Sequence, residues 1–367
     1  MKSQKYLLRF PQKLIFNSHS ELKSYLDSNS NVHFQDLYKL QWLEWRTLQD
    51  LTTNKSASDF NEEFESIGPL EGAFFFYPWR NVLVRILVQK KYIEVVTNRN
   101  KHKITAEEQE LLAQKRIGIV GLSVGRTVST TVAMEKLCGE LRVADFDVLD
   151  LSNLNRIKAP VFDLGGLKTA SLAKEISEFD PYFKLNCFDE GLTFENLDEF
   201  FTKNGKLDLV IDECDHLGMK VLIRKKAREL GIPVLMDTSD RGMIDVERYD
   251  VEPDRKYFHG RLGSFDPPYD WKISSIETQE LFGKILDLEQ ISKRGQYSLT
   301  EIGKSISTWP QLASAVVAGG GICSEITRRI LLGENVPSGR FFIDTEKLIP
   351  NESYRKKSCS NKNFRSS

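Results

Sequence analysis

Cysteine is scarce in this 367-residue sequence, and neither sign of charge is in excess. The five cysteines are odd in number, scattered along the chain, and never spaced as C-x-x-C. This pattern disfavours both a disulfide framework and a structural zinc site. Lysine and arginine number 51 against 52 acidic residues, which leaves a net charge of −1. The charge balance therefore gives no reason to expect nucleic acid or an anionic membrane as a partner.

Long apolar runs are missing as well. No stretch approaches the ~18 consecutive apolar residues that a membrane span requires. Basic residues interrupt the apolar N-terminus, so we expect no secretory signal. Hydrophobic residues make up 40% and charged residues 28% of the chain, a balance typical of globular proteins. The sequence therefore predicts a soluble, cytoplasmic protein with two domains or one elaborated domain.

The order of strand and helix patterns divides the chain into three regions. Residues 1–96 carry no nucleotide motif and predict a small α+β domain, with a helix over 38–52 and strands over 73–96 around a turn at Pro78. Residues 97–350 alternate strand and helix patterns, which is typical of a doubly wound α/β fold with a parallel sheet. The last polar residues, 351–367, are expected to fray.

A glycine-containing turn follows the first strand of the middle region. Gly121, Ser123 and Gly125 lie between the strand RIGIV and a helix, where backbone N–H groups can meet a phosphate. Asp145 ends the next strand, where its carboxylate can accept hydrogen bonds from ribose hydroxyls. A tight strand–helix turn and a simple acidic strand end are the alternatives. These two features do not distinguish NAD from ATP.

Four short motifs follow one another in a fixed order. They are Asp145-Phe146-Asp147, the loop Ser152-Asn153-Leu154-Asn155-Arg156, Gly165 to Lys168, and Asp212 to Asp215. In these motifs the sequence resembles the ThiF family, the activating enzymes of thiamine and molybdopterin biosynthesis and their ubiquitin-activating relatives. The resemblance covers roughly residues 97–340, so the fold that it implies is a ThiF-type adenylation domain.

The resemblance implies that the protein binds ATP and Mg²⁺ and adenylates a carboxylate. Arg156, Lys168 and Asp215 are the implied catalytic residues, with Asp215 as the Mg²⁺ ligand. The implied ATP-binding residues are Gly121, Ser123, Gly125, Asp145, Asp147, Asn153, Arg156, Lys168 and Asp215. These residue types suit the task, since fixed cations stabilise developing negative charge and Mg²⁺ prefers oxygen ligands. A loop ion pair for Arg156 and a solvated first-turn lysine for Lys168 are the alternatives.

The sequence departs from the family pattern in several places. His216 replaces the usual asparagine after the metal-binding acid, and Lys220 stands near the position of a frequent arginine. Without C-x-x-C pairs, we expect no zinc. No cysteine occurs between Cys214 and Cys323, where thioester-forming relatives carry their nucleophile, so a thioester cysteine is not expected.

Other residues are weaker candidates. Arg99 lies where family members place an arginine that reaches a partner subunit's ATP, although a basic linker is an equal alternative. Asp237, Asp240 and Arg241 follow a sheet strand at its ligand-binding end and are candidate substrate contacts. His259 could face a pocket or sit in a plain loop. Since the family commonly dimerises, and residues 313–321 are small, we expect a homodimer.

Three functions remain open at this stage. The first is adenylation of a carboxylate on a precursor peptide or small protein, most consistent with the family branch that tailors ribosomally made peptides in microcin-C and pantocin maturation. There, residues 1–96 would grip the precursor, with their aromatic residues lining a groove instead of forming a small core. The second is activation of the C-terminus of a sulfur-carrier or ubiquitin-like protein. The third is an NAD(P)-dependent oxidoreductase or a non-catalytic nucleotide-binding module, which the S-N-L-N-R loop and Lys168 disfavour.

Overall fold

The computed structural model of the protein describes residues 9–68, 70–271, 273–286 and 288–350. Its contacts divide the chain into two compact units. The N-terminal unit comprises Met1–Glu110 with Ala170–Lys184, and the large unit comprises Leu111–Thr169 with Leu185–Ser367. The predicted polar tail, 351–367, lies outside the described residues.

The N-terminal unit contains a four-stranded sheet in the order β1-β3-β4-β2. Its strands are β1 (Gln12–Leu14), β2 (His33–Asp36), β3 (Ala73–Tyr77) and β4 (Val82–Ile86). Strand β2 runs parallel to β4, and the other neighbours are antiparallel. The helices up to residue 112 are α1 (His19–Ser28), α2 (Tyr38–Gln49), α3 (Asn61–Glu65), α4 (Gln89–Val96) and α5 (Ala106–Leu112).

The predicted helix over 38–52 is confirmed as α2, but the prediction of strands throughout 73–96 is wrong at its end. Residues Gln89–Val96 form α4 instead. Ile93, Val95 and Val96 favour a strand by propensity, whereas Tyr92 and Val95, three residues apart, pack on the cluster around Trp42 and Leu87. Tertiary packing of one helical face therefore overrides the local preference.

The aromatic residues of this unit form its core instead of lining an open groove. Trp42, Phe74, Phe75 and Tyr77 are all buried. Trp79 lies at the margin of the core, and its indole Nε1 donates to Glu178 at 2.6 Å. The small-core alternative therefore describes most of these side chains.

The large unit contains a seven-stranded sheet in the order β11-β10-β9-β8-β5-β6-β7. Its strands are β5 (Arg116–Val120), β6 (Glu140–Ala144), β7 (Leu185–Phe188), β8 (Leu209–Asp212), β9 (Val234–Thr238), β10 (Met243–Glu247) and β11 (Gly339–Phe342). Strands β5 to β9 are parallel, which confirms the predicted α/β fold with a parallel-sheet core. The antiparallel strands β10 and β11 were not predicted.

Further helices follow residue 112 along the chain, and one of them, Lys168–Phe179, belongs for the most part to the N-terminal unit. They are α6 (Gly125–Glu135), α7 (Lys168–Phe179), α8 (Leu197–Thr202), α9 (Leu217–Leu230), α10 (Ser275–Leu286), α11 (Lys293–Glu301), α12 (Ala313–Leu331) and α13 (Thr345–Leu348). Within the described ranges, none of the helices has the length and apolar character needed to cross a membrane.

The strand order reverses direction between β5 and β8. From β5 the chain adds β6 and β7 on one side, and then β8 and β9 on the other. Gly121, which follows β5, has φ +91°, and a Cβ there would lie 2.4 Å from the Glu213 carbonyl oxygen after β8. Only glycine permits this approach. In open α/β sheets, ligands bind in the crevice at such a switch point.

A buried charge network joins the sheet to α9. Arg224 is fully buried, donates to Asp212 at 2.6 Å, pairs with Glu247, and stacks on Phe258 at 3.7 Å. Burial alone would raise the pKa of Asp212, but Lys220 and Arg224 bring it below its ordinary value. The network therefore links the end of β8, next to the switch point, to α9 and β10.

His259, which the sequence leaves as either a pocket residue or a plain loop residue, lies in a hydrogen-bonded contact of this region. Its Nε2 atom is 2.8 Å from Asp245, which also accepts from Arg340 at 2.8 Å. His259 is therefore held against the carboxylate of Asp245 on β10.

Candidate active site

The turn after β5 is tied to the end of β6 by Asp145. One carboxylate oxygen of Asp145 accepts from the backbone N–H of Leu122 at 2.6 Å, and the other from that of Asp147 at 2.7 Å. Burial raises the pKa of Asp145. Helix α6 then begins at Gly125, and no side chain of the described residues caps it. Its first N–H groups are therefore oriented to receive an anion.

Lys168 lies beside two acidic residues of the D-F-D motif. Its Nζ is 2.7 Å from Asp147 and 4.0 Å from Asp145. Lys168 is buried, whereas the Asp147 side chain is half exposed. Asn153 is buried in the neighbouring turn, where its Oδ1 accepts from the Asp150 N–H at 3.0 Å. This cluster holds the cation and the loop in fixed positions.

Arg156 is held by neutral acceptors. Its Nε donates to Ser123 Oγ at 3.0 Å and its Nη1 donates to Asn155 Oδ1 at 2.9 Å. The Asn155 amide in turn donates to the Gln311 carbonyl at 2.8 Å. Burial lowers the pKa of Arg156, and the charge of Asp215 partly opposes this effect. The guanidinium is therefore partly desolvated and lies near one carboxylate.

A cavity of about 440 Å³ opens at the carboxyl ends of β8 and β9. Five candidate residues line it: Ser123, Arg156, Asp215, Asp237 and Asp240. The cluster of Asp145, Asp147, Asn153 and Lys168 lies beside the same glycine turn and does not line this cavity. The structure therefore places the candidates in two adjacent groups, which are joined through Leu122 and Ser123.

The acidic residue proposed for Mg²⁺ is exposed at the start of this cavity. Asp215 follows β8, and His216 caps the next helix by accepting the Met219 N–H on its Nδ1 at 3.0 Å. Histidine thus performs a capping role that asparagine also performs well. Within the described ranges, no three His, Cys, Asp or Glu residues form a group that could hold a metal ion. Any Mg²⁺ here would need phosphate oxygens to complete its ligands.

Comparison with known proteins identifies the domain that carries these features. Residues 97–271 match the ThiF family. This part of the chain is a ThiF-family domain. Its relatives include an uncharacterized protein of Mycobacterium tuberculosis, 45% identical over 277 residues, which cover 75% of this chain and 38% of that protein. Another is tRNA threonylcarbamoyladenosine dehydratase 2 of Saccharomyces cerevisiae, 26% identical over 44% of this chain and 36% of the relative. The chain thus spans between about a third and a half of the length of the first curated relatives that it matches.

Solved structures that are similar to the chain include MccB of E. coli and PaaA. MccB is 15% identical, with a TM-score of 0.47, over 67% of this chain and 66% of that one. PaaA is 17% identical, with a TM-score of 0.48, over 90% of this chain and 99% of that one.

Two of the three candidate substrate residues make contacts within the chain. Asp240 accepts from the N–H of Ser292 at 2.8 Å and from its hydroxyl at 2.6 Å. Arg241 pairs with Asp344 at 2.7 Å. Their role as substrate contacts stays a prediction. So does the trans contact of Arg99, which lies exposed in a turn of the N-terminal unit.

The small-residue segment 313–321 packs within the large unit. A Cβ on Gly319 would lie 1.9 Å from Asp237 Oδ2, and one on Gly320 would lie 2.7 Å from Thr127 Cγ2. These two glycines therefore allow α12 to approach β9 and α6 closely. Val317 is exposed on the same helix, and the homodimer stays a prediction.

Sequence analysis missed Lys220 and Cys214 as cavity residues. Burial lowers the pKa of Lys220, but Asp212, 3.2 Å away, more than compensates, so that the pKa is raised. Burial raises the pKa of the Cys214 thiol, whose Sγ lies 3.1 Å from Asp212. A protonated thiol is a weak nucleophile.

A buried carboxylate pair lies at the ends of β8 and β9, and sequence analysis singled out only one of its members, Asp237, as a candidate. Glu213 and Asp237 both line the cavity, and Glu213 Oε1 accepts from the Asp237 N–H at 2.9 Å. Burial raises the pKa of both carboxyls, that of Asp237 to about 7. Both carboxylate oxygens of Asp237 lack a hydrogen-bond partner among the described residues. The sequence signal for the pair is that Glu213 directly follows an apolar strand and Asp237 lies near the end of another.

Replacing Asp237 by asparagine should stabilise the protein at pH 8 by about 1–2 kcal/mol and have little effect at pH 4. Because burial raises the pKa from 3.8 to about 7, the folded state retains a proton that the unfolded state releases. Stability therefore falls as pH rises from about 4 to 7. Asparagine removes this loss, although its amide still lacks partners. Thermal melts at both pH values measure the gain, and an equal effect at pH 4 and pH 8 would contradict the explanation.

Proposed function

We propose that the protein activates a carboxylate by adenylation with ATP. The observation that carries the proposal is that Arg156 and Asp215 line one cavity at the switch point of a ThiF-family domain. The uncapped start of α6 and the buried Lys168 lie on the β5–β6 side of this cavity. The arrangement offers donors and cations to a triphosphate and leaves room beside it for a second substrate.

In the proposed reaction, a carboxylate oxygen of the substrate attacks the α-phosphorus of ATP. The bond between this phosphorus and the bridging oxygen of pyrophosphate breaks, and the products are an acyl-adenylate and pyrophosphate. Negative charge develops on the phosphate oxygens as the bonds change. Arg156, fixed in advance by Ser123 and Asn155, would stabilise this charge without reorganising.

The other candidates have supporting roles in this scheme. Lys168 would contact the phosphates from its place beside Asp147, and Asp145 keeps the glycine turn in position through the Leu122 N–H. Its remaining lone pairs can accept a ribose hydroxyl. Asp215 would hold Mg²⁺ together with phosphate oxygens, and the ion would neutralise part of the triphosphate charge.

A peptide or small protein is the substrate class that we propose. In the N-terminal unit, β1 and β2 are the outer strands of the sheet, and each has one edge without a partner strand among the described residues. Such an edge can pair with an extended peptide. Tailoring of a ribosomally made precursor is the version that fits this unit best. Activation of a sulfur-carrier or ubiquitin-like C-terminus uses the same chemistry, whereas the oxidoreductase alternative gives no role to Arg156 and Asp215.

Adenylation predicts exchange of labelled pyrophosphate into ATP that depends on a carboxylate substrate. A panel of three short peptides tests this: one with a free C-terminus, one amidated but with a glutamate side chain, and one with no free carboxylate. We expect exchange, with AMP as the product, for one of the first two and none for the third. Formation of ADP and phosphate, or reduction of NAD(P), would exclude adenylation.

A further inference from the structure

The carboxylate pair on the cavity wall has no role in the ATP chemistry. Asp237 is only 5% exposed, and its two oxygens have no partner among the described residues. The hydroxyl of Ser239, two residues further on, also lines the cavity and also lacks a partner among those residues. Asp237 and Ser239 therefore bring unpartnered oxygens to one cavity wall, beside Glu213, whose Oε1 accepts from the Asp237 N–H.

An unpaired buried carboxylate is costly, and buried polar groups in folded proteins are normally satisfied. Lys220 is the ammonium that lines the same cavity, but it donates to Asp212 at 3.2 Å. Asp212 also binds Arg224. No cation is therefore assigned to Asp237 by the contacts of the described residues. Burial also raises the pKa of Asp237 to about 7.

Much of the remaining cavity wall is apolar, although polar side chains such as Gln290, Thr308 and Gln311 also line it. The apolar part is formed by Met236, Met243, Phe282, Ile285, Trp309 and Phe342. A ligand that complements this part of the cavity combines an apolar stem with a donor at its tip. An ammonium group has three N–H donors and a positive charge, which match an uncompensated carboxylate with two unpartnered oxygens. Aromatic side chains such as Trp309 also attract cations.

We propose that this cavity binds an alkylammonium group of the substrate, such as a lysine side chain or a terminal amine on an apolar stem, with Asp237 and Glu213 as its recognition residues. The proposal rests on the adenylation function, because the cavity is shared with Arg156 and Asp215. The ammonium group would belong to the molecule whose carboxylate is activated or to the acceptor of the adenylate. Helix α12 supports the site, since Gly319 lies directly against the Asp237 carboxylate.

The test compares two probes of equal length, n-pentylammonium and 1-pentanol, in ligand-detected NMR titrations of the full chain without ATP at about pH 7.5, where the amine is charged. We expect the amine to bind at least about tenfold more tightly, since a charged hydrogen-bonded group is worth more than a neutral one. Equal affinities, or no binding of the amine, would overturn the proposal.

Single substitutions test which residues cause the preference for the amine over the alcohol. Asp237→Asn should reduce the difference between the probes to within about threefold, and Glu213→Gln should reduce it in the same direction. Asp266→Asn is the control, because Asp266 does not line this cavity and its carboxylate pairs with Lys225 and Arg228. A preference that survives Asp237→Asn, or that Asp266→Asn abolishes equally, would contradict the assignment. Pyrophosphate exchange, measured separately, shows whether adenylation itself fails.

Discussion

Replacing Arg156 by alanine should lower the rate of substrate-dependent pyrophosphate exchange by about 10²–10³-fold, the usual effect of removing one preorganised donor from developing negative charge. Arg156 is already partly desolvated and is held by Ser123 and Asn155. Its loss therefore removes a charge that water cannot replace at equal strength. The measurement is the initial rate of exchange at saturating ATP and substrate.

Two further variants make this result specific. Arg156→Lys keeps the charge but loses the fork-shaped guanidinium, so an intermediate rate is expected. Arg329→Ala removes an arginine whose partner is the half-exposed Glu334, and it should leave the rate unchanged. A fully active Arg156→Ala enzyme would remove Arg156 from the catalytic residues.

Replacing Arg224 by alanine should destabilise the protein by about 3–5 kcal/mol, because it leaves Asp212 and Glu247 buried without their shared cation. Both acids and the arginine are fully buried in the structure. The lost stacking on Phe258 adds to the effect. A thermal melt should show a midpoint lower by roughly 10 °C.

The surface variant Arg329→Ala is also the control for the stability measurement. Arg329→Ala should cost less than about 1 kcal/mol, since exposed ion pairs contribute little. Replacement of the whole triad by apolar residues of similar volume should recover part of the loss. If Arg224→Ala melts at the temperature of the unmodified protein, the network does not stabilise the fold.

The fold could be predicted from the sequence where its signals are local. The parallel strands β5 to β9 are short apolar runs between turns, and a Thr105–Glu108 capping box marks the start of α5. Strand β11 has no comparable local signal, because its partner β10 lies about a hundred residues away along the chain and the pairing depends on the tertiary fold. Helix α4 was misread because its β-branched residues favour a strand until packing is considered.

Only part of the candidate site could be predicted, because local sequence motifs mark only some of its residues. Arg156 and Asp215 belong to ordered motifs, and the structure places both on one cavity. The opposite wall comes from residues such as Phe282 and Trp309, whose positions depend on tertiary packing. The Glu213–Asp237 pair exists because two neighbouring strands end side by side, and no spacing along the chain reveals that.

The reversal from β9 into β10 contributes to the part of the pocket that is separate in sequence from the residues assigned to the nucleotide. Groups assigned to the nucleotide come from residues 121–168 and from Asp215, whereas the pocket beyond them is framed by the hairpin Val234–Glu247 and by α10. Substitutions can remodel the second set and leave the proposed triphosphate contacts untouched. Under the proposed function, one nucleotide-binding half can therefore serve different substrates, and a change of specificity need not begin with a loss of ATP chemistry.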